Sequence, residues 1–289
     1  MPDFIFVFLA ELQASPALFI STSVLLGLMT GSFLNVVIHR LPRMMELAWA
    51  QERLEAEGQA PAEQARYNLV TPRSACPKCQ HAIGALENIP VISYLVLGGK
   101  CRHCRTPISP RYPLVEALTG LLFGLASWHF GYSSMAVASW VIILALVALT
   151  FIDLDTYLLP DDITLPLLWL GLLYNLNNGF TDLNSAVIGA ALGYLILWAV
   201  YWLFKLVTGK EGMGYGDFKL LAALGAWFGW QLLPAVILLS SIAGSIIGIL
   251  LIVLSKHGRE KPIPFGPYLA LGGIAALFFG QQLSQLYLG

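Results

Sequence analysis

The stretch "AVILLSSIAGSIIGILLIVL", residues 235–254, holds twenty residues and no charged side chain. A helix of that length crosses a hydrocarbon core about 30 Å thick. "LILWAVYWLF" (195–204) has the same character, and the chain as a whole is 57% hydrophobic and only 11% charged. Its mean hydropathy is +0.71. Soluble domains carry roughly 25% charged residues, so this chain cannot clothe an ordinary core in charge. The composition requires an all-α polytopic membrane protein.

Working outward, apolar blocks fall near 16–38, 113–130, 134–152, 163–179, 184–207, 218–233, 235–254 and 265–287, about eight transmembrane helices. The 218–233 block is short, and Pro234 leaves its boundary with the next block open. No Lys or Arg precedes Arg40, so the start lacks the basic region of a secretory signal and reads as an uncleaved span. All 16 Lys and Arg residues lie in 39–112, 153–162, 205–217 and 255–264 or at their edges, whereas "GYSS" (131–134) and "NLNNGFTD" (175–182) have none. By the positive-inside rule both termini are outside and 39–112 is cytoplasmic. The net charge of −1 says little about partners, and no nucleic-acid partner is implied.

Three regions follow: a first transmembrane segment (1–38), a cytoplasmic insertion (39–112) and a helical core (113–289). The insertion begins with an acidic stretch at about 46–63, with Glu46, Glu52, Glu55, Glu57 and Glu63, which is expected to be helical. Its second part holds "CPKC" (76–79) and "CRHC" (101–104). Two C-x-x-C pairs about twenty residues apart read as a four-thiolate zinc site, Cys76, Cys79, Cys101 and Cys104, in a zinc-ribbon-like fold. Two disulfides are the alternative, disfavoured in a reducing compartment. His81 and His103 are alternative ligands by type, but four cysteines complete the shell and leave no open position, so the zinc is structural. No low-complexity tract or internal repeat is evident.

Two acidic clusters stand at membrane edges: "FIDLDTYLLPDD" (151–162), with Asp153, Asp155, Asp161 and Asp162, and Asp217 in "GMGYGDFK" (212–219). Carboxylates there are functional by default, because their desolvation must be offset. Asp153 ends the third block and Asp217 begins the sixth, both on the cytoplasmic side. Two carboxylates brought together share one proton. The ionised one can take a proton from water attacking a peptide carbonyl while the protonated one polarises that carbonyl. Gly214 and Gly216 let backbone approach Asp217 closely. The plainer readings are solvated loop carboxylates for Asp155, Asp161 and Asp162, a helix cap for Asp162, and an N-cap for Asp217. The glycines also resemble a phosphate loop, but no strand precedes them.

Gly214-Tyr215-Gly216-Asp217 resembles the GxGD motif of presenilin-like intramembrane aspartyl proteases. With "FIDLDTYLLPD", the two C-x-x-C pairs, "GSFLNVVIHRLP" (31–42) and "PIPFGPYLALGG" (262–273), nearly the whole chain resembles the bacterial type IV prepilin leader peptidases. The resemblance implies a bifunctional enzyme of the bacterial cytoplasmic membrane. It would remove the basic leader of type IV prepilins and type II secretion pseudopilins after a glycine. It would then N-methylate the new terminus with S-adenosylmethionine. It maps the catalytic aspartates onto Asp153 and Asp217 and the zinc ligands onto the four cysteines. The acidic stretch at 46–63 would attract a basic leader. A transporter using the aspartates as ion sites accounts for spans and carboxylates but not for the cysteines. An anchor or assembly factor with a zinc-ribbon interaction domain is the third class.

Overall fold

Proline, serine and glycine set where the helices begin and how closely they pack. The computed structural model of the chain describes residues 2–59, 66–254 and 263–288. Glu63 and most of the 255–264 loop lie outside the described residues. The described chain is helical, with only two isolated β-bridges. It divides into two compact units, Met1–Ala136 and Val137–Gly289.

In the first unit, α1 (Pro2–Ala14) stops at Ser15-Pro16. Ser15 caps the next helix, its hydroxyl accepting the Leu18 N–H at 3.3 Å, and Pro16 sits where its missing N–H costs nothing. That helix, α2 (Pro16–Ala56), is 41 residues long. The first span and the acidic stretch are therefore one continuous helix as far as Ala56. Near its middle, buried Arg40 donates to the Asn68 carbonyl at 2.9 Å and lies over the Tyr67 ring, tying the start of the cysteine-bearing segment to α2. A five-residue helix, α3 (Ile92–Val96), lies between the cysteine pairs, and α4 (Arg111–Phe130) follows them.

α4 packs along α2 through glycines four apart on each helix. A Cβ on Gly27 would lie 2.8 Å from the Gly120 Cα, and one on Gly124 would lie 2.7 Å from Val24. Lipid offers no hydrophobic drive between helices, so small residues that let backbones touch hold them together.

The second unit contains α5 (Ser134–Thr156), α6 (Asp161–Tyr174), α7 (Leu183–Thr208), α8 (Tyr215–Phe228), α9 (Leu233–Leu254) and α10 (Gly266–Leu288). Eleven of the fourteen residues of α8 are buried, which makes it the core helix. It packs on α7, α6 and α10. Gly189 of α7 and Gly225 of α8 are each in the other's way: a Cβ on either would strike the other's carbonyl. One turn along, a Cβ on Gly193 would lie 2.6 Å from the Leu221 carbonyl.

All eight apolar blocks hold a helix, and among the described residues five helices are by themselves long and apolar enough to span a membrane: α2, α5, α7, the helix including α9, and α10. At fourteen residues, α6 and α8 are about 21 Å long and fall short of the core thickness. The open boundary also resolves: α8 ends at Phe228, a 3-10 turn spans Trp230–Leu232, and Pro234 is accepted in the first turn of α9.

Asn175, fully buried, closes the far end of α8. Its amide donates to the Ala226 and Trp227 carbonyls at 2.8 and 2.9 Å, and its oxygen accepts the Phe180 and Thr181 N–H groups. Those carbonyls are helix-end acceptors without helical partners. Asn175→Ala orphans all four groups at about 1–3 kcal/mol for each buried one. The expected outcome is a markedly lower unfolding temperature in detergent; an unchanged melting curve would show that water replaces the side chain.

Candidate functional site

The second unit brings together two of the five carboxylates singled out from the sequence. Asp153 lies on α5, one turn before its end, and is 4% exposed; Asp217 is the third residue of α8 and is 6% exposed. Leu159 links their surroundings, packing against Gly216, which precedes Asp217, and against Gly266, which holds Asp153. α5 continues to Thr156, so Asp155 is on the same helix and not in a loop. Residues two apart point to different faces: Asp153 is buried and Asp155 exposed. Asp161 and Asp162 are exposed in the first turn of α6. Both Asp161 oxygens pair with the Lys219 ammonium at 2.7 Å. Pro160, not Asp162, occupies the cap position of α6.

Each buried carboxylate is held by a backbone amide. Gly266, the first residue of α10, donates its N–H to Asp153 Oδ2 at 2.9 Å. A carboxylate near the negative end of α5 is unfavourable, and the positive end of α10 offsets that cost. A Cβ on Gly266 would lie 2.6 Å from Asp153 Oδ2, so only glycine brings the amide this close. Gly214 donates its N–H to Asp217 Oδ2 at 3.2 Å. The cap of α8 is Gly214, and Asp217 closes the reciprocal bond from its first turn.

A cap accounts for one oxygen of Asp217 and not the other. Asp217 Oδ1 is buried and has no hydrogen-bond partner among the described residues. Leaving a charged acceptor so placed is costly, and an oxygen kept for a proton, a water or a substrate carbonyl explains it. Leu159 packs between the two holding points: a Cβ on Gly216 would lie 2.7 Å from its Cβ, and one on Gly266 3.0 Å from its Cδ2. Gly216 is therefore required by packing. Gly214 has room for a side chain within the protein, its nearest atom 3.9 Å away, so the protein's own packing does not call for a glycine there.

Gly266 and Leu159 are the site residues that the acidic clusters did not signal. Gly266-Pro267, a glycine opening an apolar helix beside a proline, was the available signal for the first.

In the first unit, Cys76, Cys79, Cys101 and Cys104 come together, their sulfurs all within 4.8 Å of one another. Cys76 and Cys104 are 3.7 Å apart and Cys79 and Cys101 4.0 Å apart, with no disulfide. Metal–sulfur bonds of about 2.3 Å to a tetrahedral ion place the sulfurs about 3.8 Å apart, so the four thiols fit a metal ion. Both knuckles are built alike. The Cys76 and Cys101 N–H groups bond the His81 and Thr106 carbonyls, and the Gln80 and Arg105 N–H groups bond the Cys76 and Cys101 carbonyls. Gln80 and Arg105 both take φ +58°. The two pairs are thus an internal repeat that the residue pattern did not reveal.

Backbone N–H groups of Cys79 and Lys78 lower the Cys76 thiol below its ordinary range. The hydroxyl and N–H of Thr106 bring Cys104 down to about 6. Both effects favour thiolates, the form that binds metal, whereas, against the pull of the His81 N–H, burial and the neighbouring sulfurs push the Cys79 thiol up to about 12. His81 and His103 stack on each other with ring centres 5.3 Å apart and do not join the sulfur cluster.

Comparison with known proteins gives two family matches: the bacterial peptidase A24 N-terminal domain over residues 25–130 and the type IV leader peptidase family over residues 140–249. The prepilin leader peptidase/N-methyltransferase of Pseudomonas aeruginosa is 56% identical over 278 residues, covering 96% of each chain. The protein of that name from Aeromonas hydrophila is 57% identical, covering 94% of this chain and 95% of its own. That from Burkholderia pseudomallei strain 1026b is 55% identical over 89% of this chain and 84% of its own. No solved structure matches significantly.

The sulfur geometry predicts one equivalent of tetrahedral metal per chain, measurable by elemental analysis of freshly purified protein. Cys76→Ser or Cys101→Ser should lose it and make residues 73–108 sensitive to protease, since the metal holds the two knuckles together. Active protein free of metal would overturn this.

Proposed function

The chain belongs to the type IV leader peptidase family, and on that footing we propose that it cuts the basic leader from type IV prepilins and type II secretion pseudopilins and N-methylates the new terminus. The observation that carries the proteolytic half is the unpartnered, buried Oδ1 of Asp217, with Leu159 packed against both Gly216 beside it and Gly266, which holds Asp153.

The mechanism follows from what holds each carboxylate. Gly266 and Gly214 occupy one oxygen of each aspartate. The remaining oxygens share a proton between them. The ionised carboxylate takes a proton from water as the water's oxygen bonds to the scissile carbonyl carbon. The protonated one donates to the carbonyl oxygen. The tetrahedral species collapses when a proton passes to the leaving amine and the carbon–nitrogen bond breaks. The amide at Gly266 keeps Asp153 in place through both proton transfers, and burial keeps bulk water from competing for them. The space beside Gly214 admits an extended substrate backbone.

The four cysteines hold zinc, whose closed shell supplies folding energy and no reaction step. S-adenosylmethionine supplies the methyl group, as an electrophile to the amine that cleavage frees. The protein lies in the bacterial inner membrane with residues 39–112 in the cytoplasm and both termini in the periplasm. That orientation follows from the Lys and Arg distribution, and it places the ends of α5 and α8 where a prepilin's basic leader meets its apolar helix.

Two outcomes test this reading. In a cleavage time course at matched expression, Asp153→Asn and Asp217→Asn should each abolish cutting, while Asn at 155, 161 or 162 leaves substantial activity. Asp217→Asn should still methylate a pre-cleaved pilin. A fully active Asp153→Asn protein would move the role elsewhere. Independently, an impermeant label applied from outside the cell should reach a probe near Asn178 and miss one near Gly58; the reverse pattern places the aspartates on the wrong face for the leader.

A further inference from the structure

Between the two metal-binding knuckles lies "ALENIPVISYLVLG", residues 85–98, an apolar stretch inside the segment read from sequence as a polar insertion. A soluble ribbon would bury it. Instead Leu86 is 78% exposed, Ile92 59%, Leu95 70% and Val96 79%. Scattered apolar residues on a surface need no explanation, but a contiguous apolar tip does.

The tip is held at the flank of the spanning helices of its own unit. The Val91 N–H donates to buried Glu116 of α4 at 2.7 Å. Val91 takes φ +60°, a conformation that β-branched residues rarely adopt, so this turn is maintained by its surroundings. Glu116 lies five residues into α4, about 7 Å along the helix axis from Arg111. Val91 and Ile92 also line a groove of about 590 Å³ with Val24 and Leu28 of α2 and Leu121 and Trp128 of α4. Those helix residues lie within apolar, membrane-spanning sequence. Interfacial elements bury their apolar face roughly 5–10 Å below the headgroups, about the separation of Glu116 from Arg111 along α4.

The charge around the tip has one sign. From Arg66 to Arg111 the only acidic residue is Glu87, against seven Lys and Arg. Glu87 is turned inward, accepting the Gly84 N–H and lying 3.6 Å from His81 and 3.7 Å from Arg102. The basic side chains Lys78, Lys100 and Arg105 are exposed. Exposed basic residues flanking an apolar stretch on both sides in sequence are the pattern that anionic lipid surfaces attract.

We propose that residues 85–98 form a wedge embedded in the bilayer beside α2 and α4, its partner the anionic lipid of that leaflet. The metal-bound knuckles set the wedge's shape, the flanking basic residues meet phosphate headgroups, and lipid tails fill the groove. The insertion is then partly a membrane element, and the knuckles sit on the lipid surface instead of standing free in solvent.

The test uses the full chain in vesicles of phosphatidylethanolamine and phosphatidylglycerol. A nitroxide is attached through a non-natural residue at 92, 95 or 78, and metal content is measured for each variant as the check on folding. At 92 and 95, oxygen should relax the spin more effectively than a water-soluble nickel chelate, with the order inverted at 78. A photoactivated diazirine at 95 should add the mass of a phospholipid. Nickel reaching 95 as readily as 78 overturns the proposal. Exclusion of both reagents, with a peptide cross-link in place of lipid, also overturns it and assigns the tip to a protein partner or a second copy.

Discussion

Two backbone amides hold two buried carboxylates, Gly266 on Asp153 and Gly214 on Asp217. In a medium without water, an acidic group survives only where the protein supplies what water would have given. Each amide stands at the start of a helix, where N–H groups lack helical partners and the dipole favours negative charge. The site therefore requires the beginnings of α8 and α10 to meet the end of α5. Leu159 is the spacer at that meeting, packed against both Gly216 and Gly266.

The packing of the second unit serves that requirement. α8 is short and fills the interior of the unit. Gly189, Gly193 and Gly225 seat it against α7 at backbone contact, and Asn175 closes its far end with four hydrogen bonds. Lys219 and Asp161 tie its near end to α6. With both ends fastened, the carboxylate in its first turn is fixed in position.

In the first unit the same means serve a different end. Glycines bring α2 and α4 together, and a repeated hairpin knuckle presents four sulfurs at tetrahedral spacing. Between the knuckles, a segment of the opposite character turns its apolar side chains outward. A membrane protein can afford such a face because its solvent changes from water to lipid within a few residues.

The membrane class, the helix positions, the clustering of the four cysteines and the two aspartates at the ends of apolar blocks were legible in the residues, because charge is costly in lipid and paired C-x-x-C spacing is specific. That Asp153 and Asp155 face different surroundings was legible from helical periodicity, although α5 runs past both. Tertiary structure decided the rest. Hydropathy measures how apolar a segment is and not what covers it, so it does not tell that α8 is buried among α6, α7 and α10. The sequence does not say which amide meets which carboxylate: Gly266 lies 113 positions from Asp153, and the fold alone makes them neighbours. The knuckle repeat stayed hidden because it is written in backbone hydrogen bonds, which many side-chain sequences can form.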